Sequence, residues 1–142
     1  MIMDDHKGYY PYEMKYDWVT SAGFDRANRF VGFNLTHNQV KDHERYNENC
    51  LWIKGEMIPL PPVKVQRPQG VMGTWIIKDE YGVVDLTFTP EFDGRIEMDF
   101  KVFETKYYAP YGSFKGYIRA DVSEKIVFDG FFGMGEKKYI KA

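Results

Sequence analysis

Residues that suit a pleated sheet far outnumber those that build helices, and this imbalance narrows the fold more than any motif does. Eleven Val, nine Ile, six Thr and 25 aromatic residues stand against five Ala and four Leu. β-Branched and aromatic side chains pack well on a half-buried pleated surface, whereas the best helix formers are scarce. An all-β chain is the expectation. Its 142 residues suit one domain with one core, residues 1–7 forming a flexible amino-terminal tail. A composition 44% hydrophobic and 28% charged opposes wholesale disorder. No apolar run approaches the roughly 18–20 residues that span a bilayer, so no membrane span is expected. The start, Met1 to His6, is acidic and lacks the apolar core of a signal peptide. Cys50 stands alone, which excludes an intrachain disulfide and fits a reducing cytoplasm. A net charge of −2 without a basic block argues against nucleic acid.

About nine short strands are expected, joined mostly by tight turns. The first spans residues 9–19 and ends at Ser21-Ala22-Gly23; the second spans 29–36. Residues 37–48 are polar and form a loop or one short helix, of the kind that carries function when a rigid sheet positions it. Strands at 49–53 and 56–60 flank a tight turn at Lys54-Gly55. Pro61-Pro62 cannot donate to a ladder and marks an edge or a sheet switch. Residues 83–89 alternate and are stopped by Pro90. Residues 95–103 alternate best: Ile96, Met98, Phe100 and Val102 oppose Arg95, Glu97, Asp99 and Lys101. Strands at 112–120 and 125–132 pair across residues 121–124. The architecture expected is an antiparallel meander curled into a barrel, half-barrel or sandwich.

Few residues offer chemistry. His37 and His43, with Asp42, Glu44 and Glu48, could approach a divalent cation, but their spacing matches no zinc signature, and a solvated loop without metal is expected. Neither Gly112 to Gly116 nor Gly130 to Gly135 (GFFGMG) sits where a phosphate or dinucleotide loop belongs, so no cofactor is expected. No serine lies in a hydrolase elbow. Cys50, beside Leu51 and Trp52, fits a buried and inert thiol. The aromatic surplus is the stronger clue. Tyr10, Tyr12, Met14, Tyr16 and Trp18 form a continuous stripe on one face of the first strand. With Trp52 and Asn34 they could line a pocket for an apolar or amphipathic small molecule, or they could fill the core. Asn34, inside an otherwise apolar strand, must find hydrogen-bond partners. Asn47 and Asn49 suit backbone-bonding roles in turns and loops.

Seven ordered stretches carry a resemblance. They are Gly8 to Pro11 with Trp18 and Ser21 to Gly23; Val31 to Thr36; Asn47 to Asn49 with Leu51-Trp52; Leu60 to Val63; Asp85 to Pro90; Pro110 to Gly116; and Gly133 to Glu136. Together the chain resembles the carboxy-terminal half of the family called domain of unknown function 2804. That family is distantly similar to a lipocalin-like group of carotenoid hydratases and tocopherol cyclases, whose members have two barrel-like halves. The resemblance implies a calycin-like half here and no assigned activity. Family members are roughly twice as long, and Lys137-Lys138-Tyr139 replace the acidic residue and His that usually follow Glu136. In a desolvated barrel mouth Glu136 could protonate an alkene; at the chain end it would be a plain surface carboxylate.

Three functions stay open. The chain could be a small-molecule-binding β domain. It could be an interaction module that homo-oligomerises, most simply as a homodimer through a β surface, or pairs with a separate partner half. It could be a hydratase, isomerase or cyclase acting on an isoprenoid-like substrate through Glu136.

Overall fold

The computed structural model describes residues 13–37, 48–92, 95–100 and 103–141, and the side chains among them except at 13–15, 95–107 and 139–141. Every described element is a strand: β1 (Glu13–Phe24), β2 (Phe30–His37), β3 (Cys50–Ile53), β4 (Glu56–Pro59), β5 (Lys64–Gln66), β6 (Trp75–Lys78), β7 (Val84–Phe92), β8 (Arg95–Phe100), β9 (Phe103–Tyr108), β10 (Tyr111–Arg119) and β11 (Lys125–Lys141). Nine of them form one antiparallel path, β4-β3-β2-β1-β11-β10-β7-β6-β5, and β8 and β9 form a hairpin attached to β11. The all-β expectation holds.

The 17-residue β11 is the spine. One edge pairs with β1 from Ser21↔Gly133 to Glu13↔Lys141. The other pairs first with β10 and then, in the same register, with β9; the Gly135 amide donates to the Pro110 carbonyl at 3.1 Å where the two partners meet. The sheet then curls. Its two outermost strands, β4 and β5, are consecutive in sequence and joined only by residues 60–63. Five Cα steps reach at most about 18 Å, so the opposite edges must approach one another. Leu60 and Val63 in this crossing are buried, and the Asn49 side chain holds it by donating to the Pro61 carbonyl at 2.9 Å. Pro61-Pro62 thus mark a switch between edges, as expected.

One side of the curled sheet is packed with rings. Phe33 meets Phe114 and Phe128 edge-on at 5.0 and 5.1 Å, Phe88 stacks on Phe114 at 4.6 Å, and Trp75 meets Phe88 at 5.1 Å; all five are fully buried. Such pairs add to the area buried by each ring. The room for them comes from GFFGMG: a Cβ on Gly133 would lie 2.7 Å from the Phe114 ring, and one on Gly135 would lie 2.5 Å from the Trp75 ring. These glycines are strand residues whose bare backbone lets rings approach.

Several boundaries differ from the sequence expectation. β1 does not end at Ser21-Ala22-Gly23 but runs through them to Phe24; Ser21 donates to the Phe132 carbonyl at 2.7 Å, and Gly23 lies against the Phe131 ring. Small residues here serve close packing and not a turn. Pro90 does not stop β7, which continues to Phe92 through a register shift opposite Tyr111 and Gly112, a place where a missing N–H is tolerated. The strand expected over 95–103 ends at Phe100, which pairs with Phe103. The inward set assigned to it lies outside the described side chains. Lys54-Gly55 is a tight turn with φ of 54° and 75°, both positive, as a two-residue hairpin loop of the primed type requires.

Candidate functional site

Side chains alternate across a strand, so register assigns each candidate to a face. Val19 and Leu35 point into the core; their neighbours Trp18, Thr36 and the register partner Glu136 therefore lie on the opposite face. The same alternation puts Tyr16, Asn34 and Trp52 there as well. Four of the six residues expected to bind a ligand thus share one surface, and it is the face away from the packed core. Tyr10 and Tyr12 lie outside the described residues.

A row of register partners crosses this face: Cys50, Asn34, Thr20, Met134, Tyr111 and Phe92 on six successive strands. The next row runs Met57, Trp52, Gly32 and Ala22. Gly32 and Ala22 make a low floor between two aromatic shoulders, Trp52 with Met57 on one side and Phe132 with Tyr111 on the other. The latter rings stack at 6.0 Å, only 3° from parallel. Trp52 is 42% exposed, and Met57, Phe92, Tyr111 and Phe132 more so.

The polar residues of this face bond largely among themselves. The Trp18 indole donates to the Asn34 side-chain Oδ1, and Asn34 Nδ2 donates to the Glu48 backbone carbonyl at 3.3 Å. Asn34 has therefore found the partners its position demands. Asn49 accepts from the Thr36 amide at 2.7 Å and from its hydroxyl at 3.2 Å, the backbone role expected of it. Cys50 is buried, and desolvation pushes its thiol up, outweighing the hydrogen bond from the Asn34 backbone. An inert thiol is the result. Glu136 is only 7% exposed, on the same face as Trp18 and the half-buried Lys138. The plain surface carboxylate is thereby replaced by a buried one.

A second feature lies elsewhere. A cleft of about 380 Å³ is lined by Pro62, Val63, Lys64, Ile76 and Lys78, with His37 and Tyr81 also in the lining; none of the described residues expected to bind a ligand contributes. His37 Nδ1 stands 3.7 Å from Asp17, and Asp17 pairs with Arg67 at 2.7 Å. The Arg67 guanidinium lies 3.9 Å over the Trp75 ring, and its buried Nε has no hydrogen-bond partner among the described residues. This pair ties β1 to the segment after β5. Sequence reading missed it, since residues 17 and 67 share no local pattern. Among the described residues no group of three His, Cys, Asp or Glu side chains could hold a metal ion. His43 and its loop lie outside them.

A family model for DUF2804, a domain of unknown function, matches residues 1–141. The fold is similar to that of a crystal structure from Nitrosomonas europaea bearing the name AttH, with a TM-score of 0.54 at 12% identity. That likeness covers 90% of this chain and 51% of the other, so the chain spans about half the length of the solved protein. No curated protein matches the chain significantly. No described helix is long and apolar enough to cross a membrane.

Proposed function

We propose that this chain, which belongs to the DUF2804 family, is one half of a two-part β assembly, and that the face bearing Trp52 and Phe132 docks on a second copy of the chain. The supporting observation is the group of exposed apolar side chains on that face, Trp52, Met57, Phe92, Tyr111 and Phe132. Isolated exposed apolar residues are ordinary, but several on adjoining strands of one face mark an interaction surface. The choice of a second copy rests on symmetry, since a two-fold contact covers the same patch on both copies. A two-fold axis through the face would set each aromatic shoulder against the floor of its partner.

An apolar small molecule, the other function expected of the aromatic stripe, finds the core side occupied by Phe33, Trp75, Phe88, Phe114 and Phe128. On the outer face, the Trp18 indole and the Asn34 amide already bond within the chain. Sedimentation velocity at micromolar concentration tests the proposal. A dimer is expected, reduced to monomer by Trp52→Ser with Phe132→Ser. A wild-type monomer, or a dimer indifferent to both changes, refutes it.

The burial of Glu136 favours a second reading, an enzyme of hydratase, isomerase or cyclase type that uses this carboxyl as a proton donor. Deuterium taken from solvent into squalene by the wild type, and lost in Glu136→Gln, supports that reading. Equal incorporation by both proteins sinks it.

A further inference from the structure

We infer that the cleft beside the β5–β6 hairpin is a binding site for a small amphipathic anion, a carboxylate on an apolar body. Its volume of about 380 Å³ falls in the range of small-ligand sites. Lys64 on β5 and Lys78 on β6 are direct register partners, so they share a face, and both are exposed and line the cleft. Like charges directly opposite one another in a ladder destabilise it. Among the described residues neither lysine has an ion-pair partner within 4 Å. The nearby carboxylates form no ion pair with either lysine. Asp79 lines the cleft, but its oxygens accept from the amides of Tyr81, Val83 and Val84 at 2.8–2.9 Å and are held by the turn. Asp85 stands across from Lys78 on its other side without an ion pair, and Glu80 is exposed at the rim.

The remaining lining joins apolar Pro62, Val63 and Ile76 to polar Gln66, His37 and Tyr81. Pro62, Val63 and Ile76 supply an apolar floor, and Val63 belongs to the buried crossing that joins the sheet edges. A paired cationic rim above an apolar floor matches a ligand with one anionic head and one hydrocarbon body. An ion without a body would leave the floor wet, and a body without a charge would leave the lysines opposed.

Octanoate is the probe, with 1-octanol as the same body without charge and inorganic phosphate as charge without a body. Backbone amide shifts in nuclear magnetic resonance titrations locate the site and give the affinity. Octanoate is expected to shift the amides of β5 and β6, at least fivefold more tightly than either control, and to lose at least fivefold in Lys64→Gln with Lys78→Gln. Both lysines are exposed, so the double variant keeps its fold, which circular dichroism checks. Octanol equal to octanoate, affinity unchanged in the double variant, or shifts confined to the Trp52–Phe132 face would each overturn the inference. None of these outcomes depends on whether the chain dimerises.

Discussion

Gly135→Ala separates packing from propensity. A glycine within a strand ordinarily costs about 0.5–1 kcal/mol relative to alanine, so the change should stabilise if backbone freedom were all that mattered. In this fold the new methyl would sit 2.5 and 2.7 Å from two atoms of the Trp75 ring and 2.9 Å from the Phe88 ring. Neither ring can easily retreat. The Trp75 indole donates to the Val71 carbonyl at 2.7 Å, Arg67 covers its face at 3.9 Å, and Phe88 lies between Trp75 and Phe114. Overpacking a full core costs about 1–3 kcal/mol. Displacing the indole from Val71 adds about 0.5–1.5 kcal/mol. After the gain in backbone entropy, a net loss of about 2–3 kcal/mol is expected. Urea unfolding at equilibrium measures it, with an unchanged slope showing that the denatured state is unaltered. Trp75→Phe removes the ring atoms that the methyl would meet, so the double variant should recover about 1 kcal/mol or more relative to additivity. A Gly135→Ala protein as stable as the wild type, or an additive cycle, would refute the packing account.

Asn49→Ala strips hydrogen bonds from the buried Thr36 amide and the Pro61 carbonyl and should cost about 2–4 kcal/mol in the same assay, whereas an exposed polar residue such as Gln69 should tolerate alanine within about 0.5 kcal/mol. Asp25 is desolvated, but hydrogen bonds from the Arg29 amide and guanidinium prevail and hold its carboxyl below the ordinary 3.8; hydrogen bonds from Ser123 do the same for Asp121. Because both folded values are depressed, their stabilisation is complete above about pH 4–5 and is lost as pH falls through the folded values. Asp25→Asn with Asp121→Asn should therefore flatten the melting temperature's dependence on pH below about 4, and an unchanged acid slope would count against these contacts. Cys50 should resist a thiol reagent at pH 8 in the native protein and react at once in urea; rapid native labelling would show that the thiol is open to solvent.

Local chemistry made much of the fold legible. The excess of β-branched and aromatic residues predicted an all-β chain, and Lys54-Gly55 predicted a turn that has both φ values positive. Residues 121–124 predicted another, closed by the Asp121 carboxylate on the amides of Ser123 and Glu124. The errors share one cause. Ser21-Ala22-Gly23 carries the composition of a turn, yet its smallness makes room for a neighbouring ring and strand, and that neighbour, Phe131 to Gly133, is more than 100 residues away. Pro90 is a stop signal until a register shift opposite it removes the need for its N–H.

The candidate site was legible in part for the same reason. Alternation alone aligned Tyr16 with Trp18, but only the pairing of β1 with β2 and β11 shows that they face away from the core and that Glu136 is buried beside them. The opposition of Lys64 and Lys78 depends on the register of a hairpin whose strands are only three and four residues long. Nothing in their own sequence fixes it.

Photo-crosslinking from the proposed docking face tests the account most directly. A benzophenone amino acid is placed at Phe132, on one aromatic shoulder of that face, or at Tyr81, an exposed ring in the turn between β6 and β7. Both are large exposed aromatic positions, so the substitution leaves the core intact. Illumination of purified protein at micromolar concentration should give a covalent dimer from position 132, with the linked peptide drawn from β3, β4 or the opposite copy of β11, and little from position 81. Dimers formed equally from both positions, or none from position 132, would contradict the account.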